Sequence, residues 1–329
     1  MLSARYPLPL SLASSFPFTE KEKDHARYGC FISRRVPGTL TAHLLRHYAA
    51  DPRNEIVFLT RRANARFSGI RKIVYRTSRE AGAKTHPYVR SIEQAVLHGQ
   101  AVARVALRLK QEGFVPDVIL GHNAWGETLY LKDVYPDALL LAYFEFYYRA
   151  RGADVGFDAE YPADLNARLR VRTLNAVNLM GLEAADRGQS PTAWQRSTYP
   201  LRYQGMIAVA HEGIDTARIR PDLQARFLLP DGRALTRADE VITYAARNLE
   251  PYRGFHVFMR ALPEILRSTP TAQVLIAGGD QVIYGRKLPH AHTYRQKLLA
   301  ELDGKLDIAK VHFLGRVPPT DFIRMLQVS

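Results

Sequence analysis

Two arginines, Arg247 and Arg253, have the sequence setting that most clearly suggests chemistry. They lie in the loop between a short apolar run, Val241–Tyr244, and a helical pattern that begins at Phe255. Such a loop already favours an anion, because the free N–H groups and the dipole of the helix start point into it. Arginine adds a planar fork of donors that matches phosphate oxygens. The pair therefore predicts a diphosphate site, and the alternative is two solvated surface arginines.

Around this loop the sequence predicts a strand, a helix and a second strand. Val241–Tyr244 is apolar and rich in β-branched residues, as is typical of a buried strand. Apolar residues recur at helical spacing from Phe255 to Leu266, and Thr269 ends the helix because it precedes a proline. Val274–Ala277 is the second buried strand, and a Gly-Gly pair at 278–279 follows it. These glycines would allow the backbone to come close to a ligand.

Three further residues stand where a ligand could bind. Gly38 separates a predicted strand from a helix, where glycine lets N–H groups approach a phosphate, although the fuller glycine-rich fingerprint is missing. His122 follows the strand Asp117–Leu120, and a histidine at a strand end could bind a hydroxyl or share a proton. Glu145 lies in the apolar run Tyr143–Tyr148 and needs a partner if it is buried. The alternative is a plain turn glycine for Gly38 and a hydrogen-bonded structural histidine for His122. For the run that contains Glu145 it is aromatic core packing.

Several kinds of site are poorly supported. Cys30 is the only cysteine, which excludes a disulfide within the chain and a cysteine metal cluster. His43 and His47 lie four apart on a predicted helix but lack an acidic third ligand, so we predict no metal site. The Gly-x-Ser-x-Gly elbow of serine hydrolases and the Walker phosphate loop are missing from the sequence.

The charge balance favours anionic partners. The net charge is +14, and residues 1–210 carry 29 Lys and Arg against 19 Asp and Glu. Nucleotides, anionic lipid headgroups and nucleic acid are candidates, although dispersed basic residues disfavour nucleic acid. A basic N-terminal domain could rest on an anionic membrane surface. No apolar stretch is long enough to span a bilayer, and the single cysteine fits a reducing compartment. We therefore predict a cytoplasmic protein that could contact the inner face of the membrane.

Strands and helices alternate along the chain, which predicts an α/β protein with parallel sheets in two domains. We expect a poorly ordered extension at 1–28, a Rossmann-like domain at 29–210 and a second, three-stranded one at 211–329. The predicted strands of the first domain are Cys30–Ser33, Glu55–Thr60, Lys72–Tyr75, Asp117–Leu120, Ala138–Phe146 and Met206–Val209. One helix is predicted over Leu165–Glu183, with five apolar residues facing the core: Leu165, Leu169, Leu174, Val177 and Met180.

Segments in both parts of the chain carry a resemblance to a known family. Those of the second part are ARNLEPYRG at 246–254, AQVLIAGGD at 272–280, VHFLGRVPPTDFIRMLQVS at 311–329 and HEGIDTARIRP at 211–221. Those of the first part are ILGHN at 119–123 and, more loosely, VPGTL at 36–40. Together they resemble the retaining glycosyltransferases of family 4. This resemblance implies the GT-B fold, in which two Rossmann-like domains with parallel sheets face each other across a cleft.

The resemblance implies a hexosyltransferase-type enzyme that moves a sugar from a nucleotide-diphosphate sugar to a polysaccharide, a glycolipid or a similar acceptor. It implies retention of configuration, no metal and no cofactor besides the sugar-nucleotide substrate. Arg247 matches the family's diphosphate arginine, and Arg253 stands where a lysine is usual. Gly38 and Gly279 would give the donor access to the backbone. His122, the implied catalytic residue, would contact the donor sugar or the acceptor.

The resemblance also implies a motif of two spaced glutamates after the FLGRV strand, whereas the chain ends at Ser329 before such a motif. We therefore expect an incomplete second domain, an unpaired sheet edge and weak donor binding with little or no turnover. Two other functions stay open. One is a nucleotide-sugar epimerase of the same fold, which needs carboxylates and histidines acting on C2 of the sugar. The other is a sugar-nucleotide binder without catalysis.

Overall fold

The computed structural model describes residues 28–33, 39–63, 67–285, 287–289 and 292–329. The chain separates into two compact units. The first contains the residues up to Phe157 together with Pro162–Gly213, and the second contains Asp158–Tyr161 and Ile214–Ser329. Residues 1–27, which belong to the predicted extension, lie outside the described ranges.

A parallel sheet forms the centre of the first unit. Over the described residues its strands are β1 (Tyr28–Ser33), β2 (Val57–Thr60), β3 (Arg71–Val74), β4 (Val118–His122), β5 (Leu139–Tyr143), β6 (Arg187–Ser190) and β7 (Ile207–Val209). They are ordered β3-β2-β1-β4-β5-β6-β7, and every neighbouring pair is parallel. The strand order reverses between β1 and β4, which is the switch point where sheets of this type bind ligands. The predicted parallel α/β architecture is confirmed.

Helices cover both faces of this sheet. They are α1 (Thr39–Ala49), α2 (Arg90–Gln111), α3 (Leu131–Val134), α4 (Leu165–Leu174), α5 (Ala176–Ala184), α6 (Ala193–Thr198) and α7 (Leu201–Gln204). Successive side chains of a strand point to opposite faces, and β2 shows the consequence. Val57 and Leu59 pack in one core cluster with residues of α2, whereas Phe58 packs in another with Leu45 of α1. All four side chains of β2, Val57–Thr60, are fully buried, as is typical of a strand that is covered on both faces.

Strand β6 was not predicted from the sequence. Its residues, Arg187–Ser190, have the letters RGQS and no apolar run. The segment is a strand because it pairs with β5 on one side and β7 on the other. Gly188 is required there, because a Cβ would lie 2.6 Å from Cδ2 of Phe144 in the core. Pairing between neighbours in space, rather than its own composition, therefore determines this strand.

The single helix predicted over Leu165–Glu183 is two helices, α4 and α5, with Asn175 between them. The Asn175 side chain accepts a hydrogen bond from the N–H of Tyr148 at 2.9 Å and donates one to its carbonyl at 2.7 Å. The break removes the common apolar stripe that one continuous helix would have had. Three residues predicted to face the core are exposed instead, so that prediction is wrong for Leu165, Leu169 and Met180.

The second unit contains a parallel sheet ordered β10-β11-β12 within the described residues. Its elements are β8 (Phe227–Leu228), β9 (Ala234–Leu235), β10 (Val241–Asn248), α8 (Phe255–Ser268), β11 (Gln273–Gly279), α9 (Tyr294–Glu301), β12 (Val311–Gly315) and α10 (Pro319–Gln327). The predicted strand, helix and second strand are confirmed, but β10 continues past the predicted end at Tyr244 to Asn248, so Arg247 lies in the strand and not in a loop. The antiparallel hairpin β8–β9 was not predicted. Val274 and Ile276 of β11 pack with α8 and α9, whereas Leu275 and Ala277 pack on the other face with α10.

The short segment Asp158–Tyr161 belongs to the second unit although its flanking residues belong to the first. Oδ2 of Asp158 lies 3.0 Å from Nε2 of the buried His256 of α8. The guanidinium of Arg260 donates two hydrogen bonds to Glu160, at 2.6 and 2.9 Å. It donates two more to Glu301 of α9, at 2.5 and 3.0 Å. Charge pairing therefore holds this segment against α8 and α9.

We predict that replacing Arg260 by alanine weakens this attachment in a pH-dependent way. Hydrogen bonds from Arg260 lower the pKa of Glu160 from 4.5 to about 2, and they also lower the pKa of Glu301. Because the pKa is lower in the folded state, the stabilisation is complete above about pH 4.5 and is lost towards pH 2. The side chains are partly exposed, so we expect Arg260→Ala to lower the free energy of unfolding by about 1 kcal/mol at pH 7.

Chemical denaturation at pH 7, 5 and 3.5 measures this effect. Arg267→Ala is the matched control, because Arg267 lies on the same helix in a more exposed ion pair with Glu264. The cost of Arg260→Ala should exceed that of the control at pH 7 and should shrink at pH 3.5. Equal costs at every pH would contradict a role for the Glu160 pairing.

Candidate functional site

The carboxyl ends of β10, β11 and β12 line a cavity of about 580 Å³ in the second unit. Ala245 pairs with Ala277 and Ala277 pairs with Gly315 there, and the register of both pairings shifts near these residues. The lining residues come from the three strand ends and the start of α10: Ala245, Ala246, Arg247, Ala277, Gly278, Gly315, Arg316, Val317, Pro319 and Phe322. Its volume is in the range of ligand pockets, which is about 300–1,000 Å³. The cavity lies where parallel α/β sheets bind ligands.

Small residues leave the backbone accessible along this cavity. Alanine or glycine stands at five of the ten lining positions. At Gly278 a larger residue would not fit, because a Cβ would lie 2.8 Å from Cδ2 of Leu249 and 2.9 Å from the carbonyl of Ala246. The close packing of the β10 and β11 ends therefore demands glycine. It leaves peptide groups, rather than side chains, at the cavity wall.

Two arginines supply the charge of the cavity. Arg247 is the last residue but one of β10 and Arg316 follows β12, and both side chains are exposed. Within the described part of the chain, neither has a carboxylate within ion-pair distance. Exposed guanidinium groups beside a concave surface attract phosphate and carboxylate groups. The sequence singled out Arg247 but missed Arg316, because only the sheet brings the end of β12 to the end of β10.

Arg253 occupies a different position from Arg247. It ends a 3₁₀ turn, Pro251–Arg253, and its guanidinium lies over the ring of Tyr284 at 5.3 Å. The turn is anchored by the buried Glu250, whose carboxylate accepts the N–H groups of Ile283 and Tyr284, both at 2.9 Å. Arg253 is not among the residues that line the cavity. Its role in binding a diphosphate stays a prediction.

Gly279 lies beside the cavity rather than in its wall. A Cβ on this glycine would be 3.0 Å from Oδ1 of Asn248 and 3.3 Å from Nε of Arg316. Asn248 is fully buried, and neither side-chain atom has a hydrogen-bond partner among the described residues. Any side chain at 279 would therefore press on both neighbours. The predicted access of a ligand to the Gly279 backbone stays a prediction. Gly38 lies outside the described residues.

A second group of polar residues lies at the carboxyl edge of the first unit's sheet. His122 ends β4 and Tyr143 ends β5, and the two are register partners. Nε2 of His122 lies 3.1 Å from Oε2 of Glu145, and its Nδ1 accepts the N–H of Ala124 at 3.2 Å. The Tyr143 hydroxyl donates a hydrogen bond to Glu212. The structure therefore brings the predicted His122 and Glu145 together.

Burial holds Tyr143 in its protonated form. Desolvation is the main cause that raises the pKa of its hydroxyl far above the usual value, and the hydrogen bond to Glu212 adds to it. A phenol in this state can only donate its proton to the Glu212 carboxylate. Glu145 is partly exposed at the same edge, so the run Tyr143–Tyr148 is not entirely core. Phe144, which points to the other face, is fully buried.

Over the described ranges, no group of three or more His, Cys, Asp or Glu side chains is arranged to hold a metal ion. Among the helices that the structure describes, none is long and apolar enough to cross a membrane.

Comparison with known proteins decides the family. The sequence model of the glycosyl transferase family 4 group matches residues 52–219, which are 168 of the 329 residues. The chain belongs to the glycosyl transferase family 4 group. The family suggested by the motifs is therefore confirmed, and most of the match lies in the first unit. No curated protein is detectably similar to this family 4 chain in sequence.

Several solved structures resemble this family 4 member in fold. The trehalose-6-phosphate synthase OtsA has a TM-score of 0.56 at 12% identity, covering 92% of this chain and 77% of that one. The catalytic domain of starch synthase IV from Arabidopsis thaliana, bound to ADP and acarbose, has a TM-score of 0.51 at 14% identity. That match covers 92% of this chain and 77% of the synthase domain. Anabaena HepE in complex with UDP and glucose has a TM-score of 0.50 at 15% identity, covering 91% of this chain and 71% of HepE. Similarity at this level shows the fold alone, which is the predicted GT-B type with Rossmann-like units.

Proposed function

We propose that this family 4 member transfers a hexosyl group from a nucleotide-diphosphate sugar to an acceptor hydroxyl, with retention of configuration. The observation that carries the proposal is the cavity of the second unit, where Arg247 and Arg316 lie beside small residues at the ends of three parallel strands. Its size and its charge suit a nucleoside diphosphate. The structures of starch synthase IV and HepE contain ADP and UDP, which supports a ligand of this class. Retention rests on the family resemblance.

The arginines would act on the leaving group. When the bond between the anomeric carbon and the diphosphate oxygen breaks, negative charge grows on the diphosphate. Guanidinium groups stabilise such charge through charge-assisted hydrogen bonds, a task that divalent ions perform in other enzymes. We therefore propose a reaction without a metal. In it, Arg247 and Arg316 bind the diphosphate, Arg253 joins them by leaving the Tyr284 ring, and Gly279 offers its backbone N–H group.

Helix α4 supports an acceptor at a membrane surface. Leu165 and Leu169 lie one turn apart and are 62% and 50% exposed. Arg170 and Arg172 of the same helix are exposed as well. Exposed apolar side chains with basic neighbours suit a surface of anionic lipids. The proposal therefore places the protein at the cytoplasmic face of a membrane, with a polysaccharide or glycolipid acceptor.

Binding of nucleoside diphosphates tests the proposal. We expect one of UDP, GDP and ADP to raise the melting temperature of the chain, because a ligand that binds only the folded state stabilises it by about 2.7 kcal/mol at a hundredfold excess over Kd. Slow transfer from the matching sugar nucleotide to members of a panel of glycosides and lipid-linked saccharides should then be detectable by mass spectrometry. Product NMR should show the anomeric configuration of the donor.

Three outcomes would contradict the proposal. If none of the three nucleotides stabilises the chain, the proposed diphosphate site is wrong. Stabilisation by a DNA or RNA oligonucleotide instead would indicate a nucleic-acid binder. Incorporation of deuterium from D₂O at C2 of UDP-N-acetylglucosamine, without transfer, would indicate an epimerase.

A further inference from the structure

The imidazole of His122 has both of its ring nitrogens engaged within the first unit. Nδ1 accepts the N–H of Ala124, so this nitrogen carries no proton. The ring proton of the neutral form therefore lies on Nε2, which faces Oε2 of Glu145 at 3.1 Å. The rings of Tyr143 and Trp125 lie near it, with centroids 5.2 and 5.9 Å away. A histidine held in this way has no ring lone pair left for a substrate hydroxyl.

Glu145 is the more accessible member of this pair. Its side chain is 56% exposed, whereas that of His122 is 20% exposed. The backbone of Glu145 is also fixed, because its carbonyl accepts a hydrogen bond from Nε2 of Gln195 at 2.9 Å. An ionised carboxylate has two oxygens and about four lone-pair directions, and more than half of this side chain is accessible to solvent. The group that meets a ligand at this edge is therefore the carboxylate rather than the imidazole.

The position of the pair favours a small polyhydroxylated ligand. His122 ends β4, which borders the point where the strand order reverses. The partly exposed ring of Trp125 lies beside the pair, and aromatic faces suit the C–H faces of sugars. A second carboxylate, Glu212, is hydrogen-bonded to Tyr143, the register partner of His122. Acceptor oxygens beside an aromatic face match hydroxyl donors attached to a pyranose ring.

We propose that Glu145 binds a hydroxyl group of the saccharide acceptor and that His122 is a positioning residue that holds its carboxylate. This inference rests on the proposed transferase function, and it moves the substrate contact from His122 to Glu145. His122 acts by donating its Nε2–H to Glu145, so that one rotamer of the carboxylate is held at the edge of the sheet. The acceptor class is a glycoside with free ring hydroxyls.

Three variants of the full chain separate the two roles. Glu145→Gln keeps the shape of the side chain and removes its charge. His122→Gln keeps an N–H donor towards Glu145, whereas His122→Ala removes it. The probes are methyl α-glucoside, methyl α-mannoside and methyl N-acetyl-α-glucosaminide, with binding followed by saturation-transfer NMR both without nucleotide and with the nucleoside diphosphate that stabilises the chain. Thermal shifts with that nucleotide are recorded for every variant.

We expect at least one glycoside to bind the unchanged chain. Glu145→Gln and His122→Ala should each weaken its binding about tenfold or more, because a hydrogen bond to a charged group is lost or misdirected. His122→Gln should stay within about threefold of the unchanged chain, since the donor to Glu145 is kept. The nucleotide thermal shift should be the same in all three variants. In a transfer assay, KM for the acceptor should rise while KM for the donor does not.

Other patterns overturn the inference. If both His122 variants lose binding and Glu145→Gln does not, His122 itself contacts the ligand. If no glycoside binds while the nucleotide shift is normal, the inference fails and the proposed transferase function stands. A glycoside that binds through Glu145 in a chain without any nucleotide shift supports the saccharide site and contradicts the transferase.

Discussion

Replacing Arg247 by alanine should weaken nucleoside diphosphate binding by tenfold to a hundredfold and should abolish most of the thermal shift. The reason is its place at the carboxyl end of β10, where the guanidinium lines a cavity and has no carboxylate partner within the described residues. A hydrogen bond to a charged group contributes about 1.5–3 kcal/mol, and a bidentate arginine makes two. Arg247→Lys should retain part of the affinity, because it keeps the charge but not the fork.

Isothermal titration with UDP, GDP and ADP measures the loss. Arg267→Ala is the control, since it removes one positive charge from the far end of α8, where Arg267 pairs with Glu264. Arg267→Ala should leave the affinity nearly unchanged. If both variants weaken binding equally, the effect is one of net charge and the cavity assignment is wrong. Arg316→Ala should reproduce the loss of Arg247→Ala if both arginines contact one diphosphate.

Replacing Gly126 by alanine should destabilise the first unit by about 3 kcal/mol or more, through a steric clash added to backbone strain. Gly126 closes the 3₁₀ turn after β4 with a φ of 90°, in the left-handed region that L side chains rarely adopt. A Cβ there would lie 2.3 Å from the carbonyl oxygen of Ala95 and 2.5 Å from its Cα. Ala95 is a buried residue of α2, so the helix would have to move away from the turn.

Gly113→Ala provides a matched control for this prediction. Gly113 has a φ of 88°, but a Cβ at this position would have nothing within 4 Å. It therefore shares the backbone strain of about 1–3 kcal/mol and lacks the clash. Chemical denaturation followed by circular dichroism compares the two variants. Equal losses would mean that the contact between the turn and α2 does not matter. A larger loss for Gly126→Ala would show that this contact supports the turn after His122.

The sequence predicted best where structure is local. Helix α8 was predicted from Phe255 up to the Thr269-Pro270 pair, and it spans Phe255–Ser268, because apolar spacing and a proline act within one segment. Strand β6 was missed because its residues carry no apolar pattern and become a strand only between two neighbours. Asn175 interrupts a helical pattern through hydrogen bonds with Tyr148, a residue that lies in a distant part of the sequence.

The candidate site residues also differ in whether the local sequence could indicate them. Arg247 could be singled out because it lies near the carboxyl end of a strand that precedes a helix, which is where parallel α/β sheets bind ligands. Arg316 could not, since its approach to Arg247 depends on the pairing of β12 with β11 and of β11 with β10. His122 and Glu145 were noted separately, but neither spacing nor residue type indicates that they touch. Their contact follows from the parallel register of β4 and β5.

By itself, the sequence determined the alternation of strands and helices, the β10–α8–β11 unit with Arg247 ahead of its helix, and the motifs of the family. These features depend on periodicity, on turn residues and on short segments, which act over a few neighbouring residues. The tertiary structure alone decided that Arg247 and Arg316 share one cavity and that His122 is bound to Glu145. Strand order and register set those contacts, because parallel pairing brings together strand ends that are far apart along the chain.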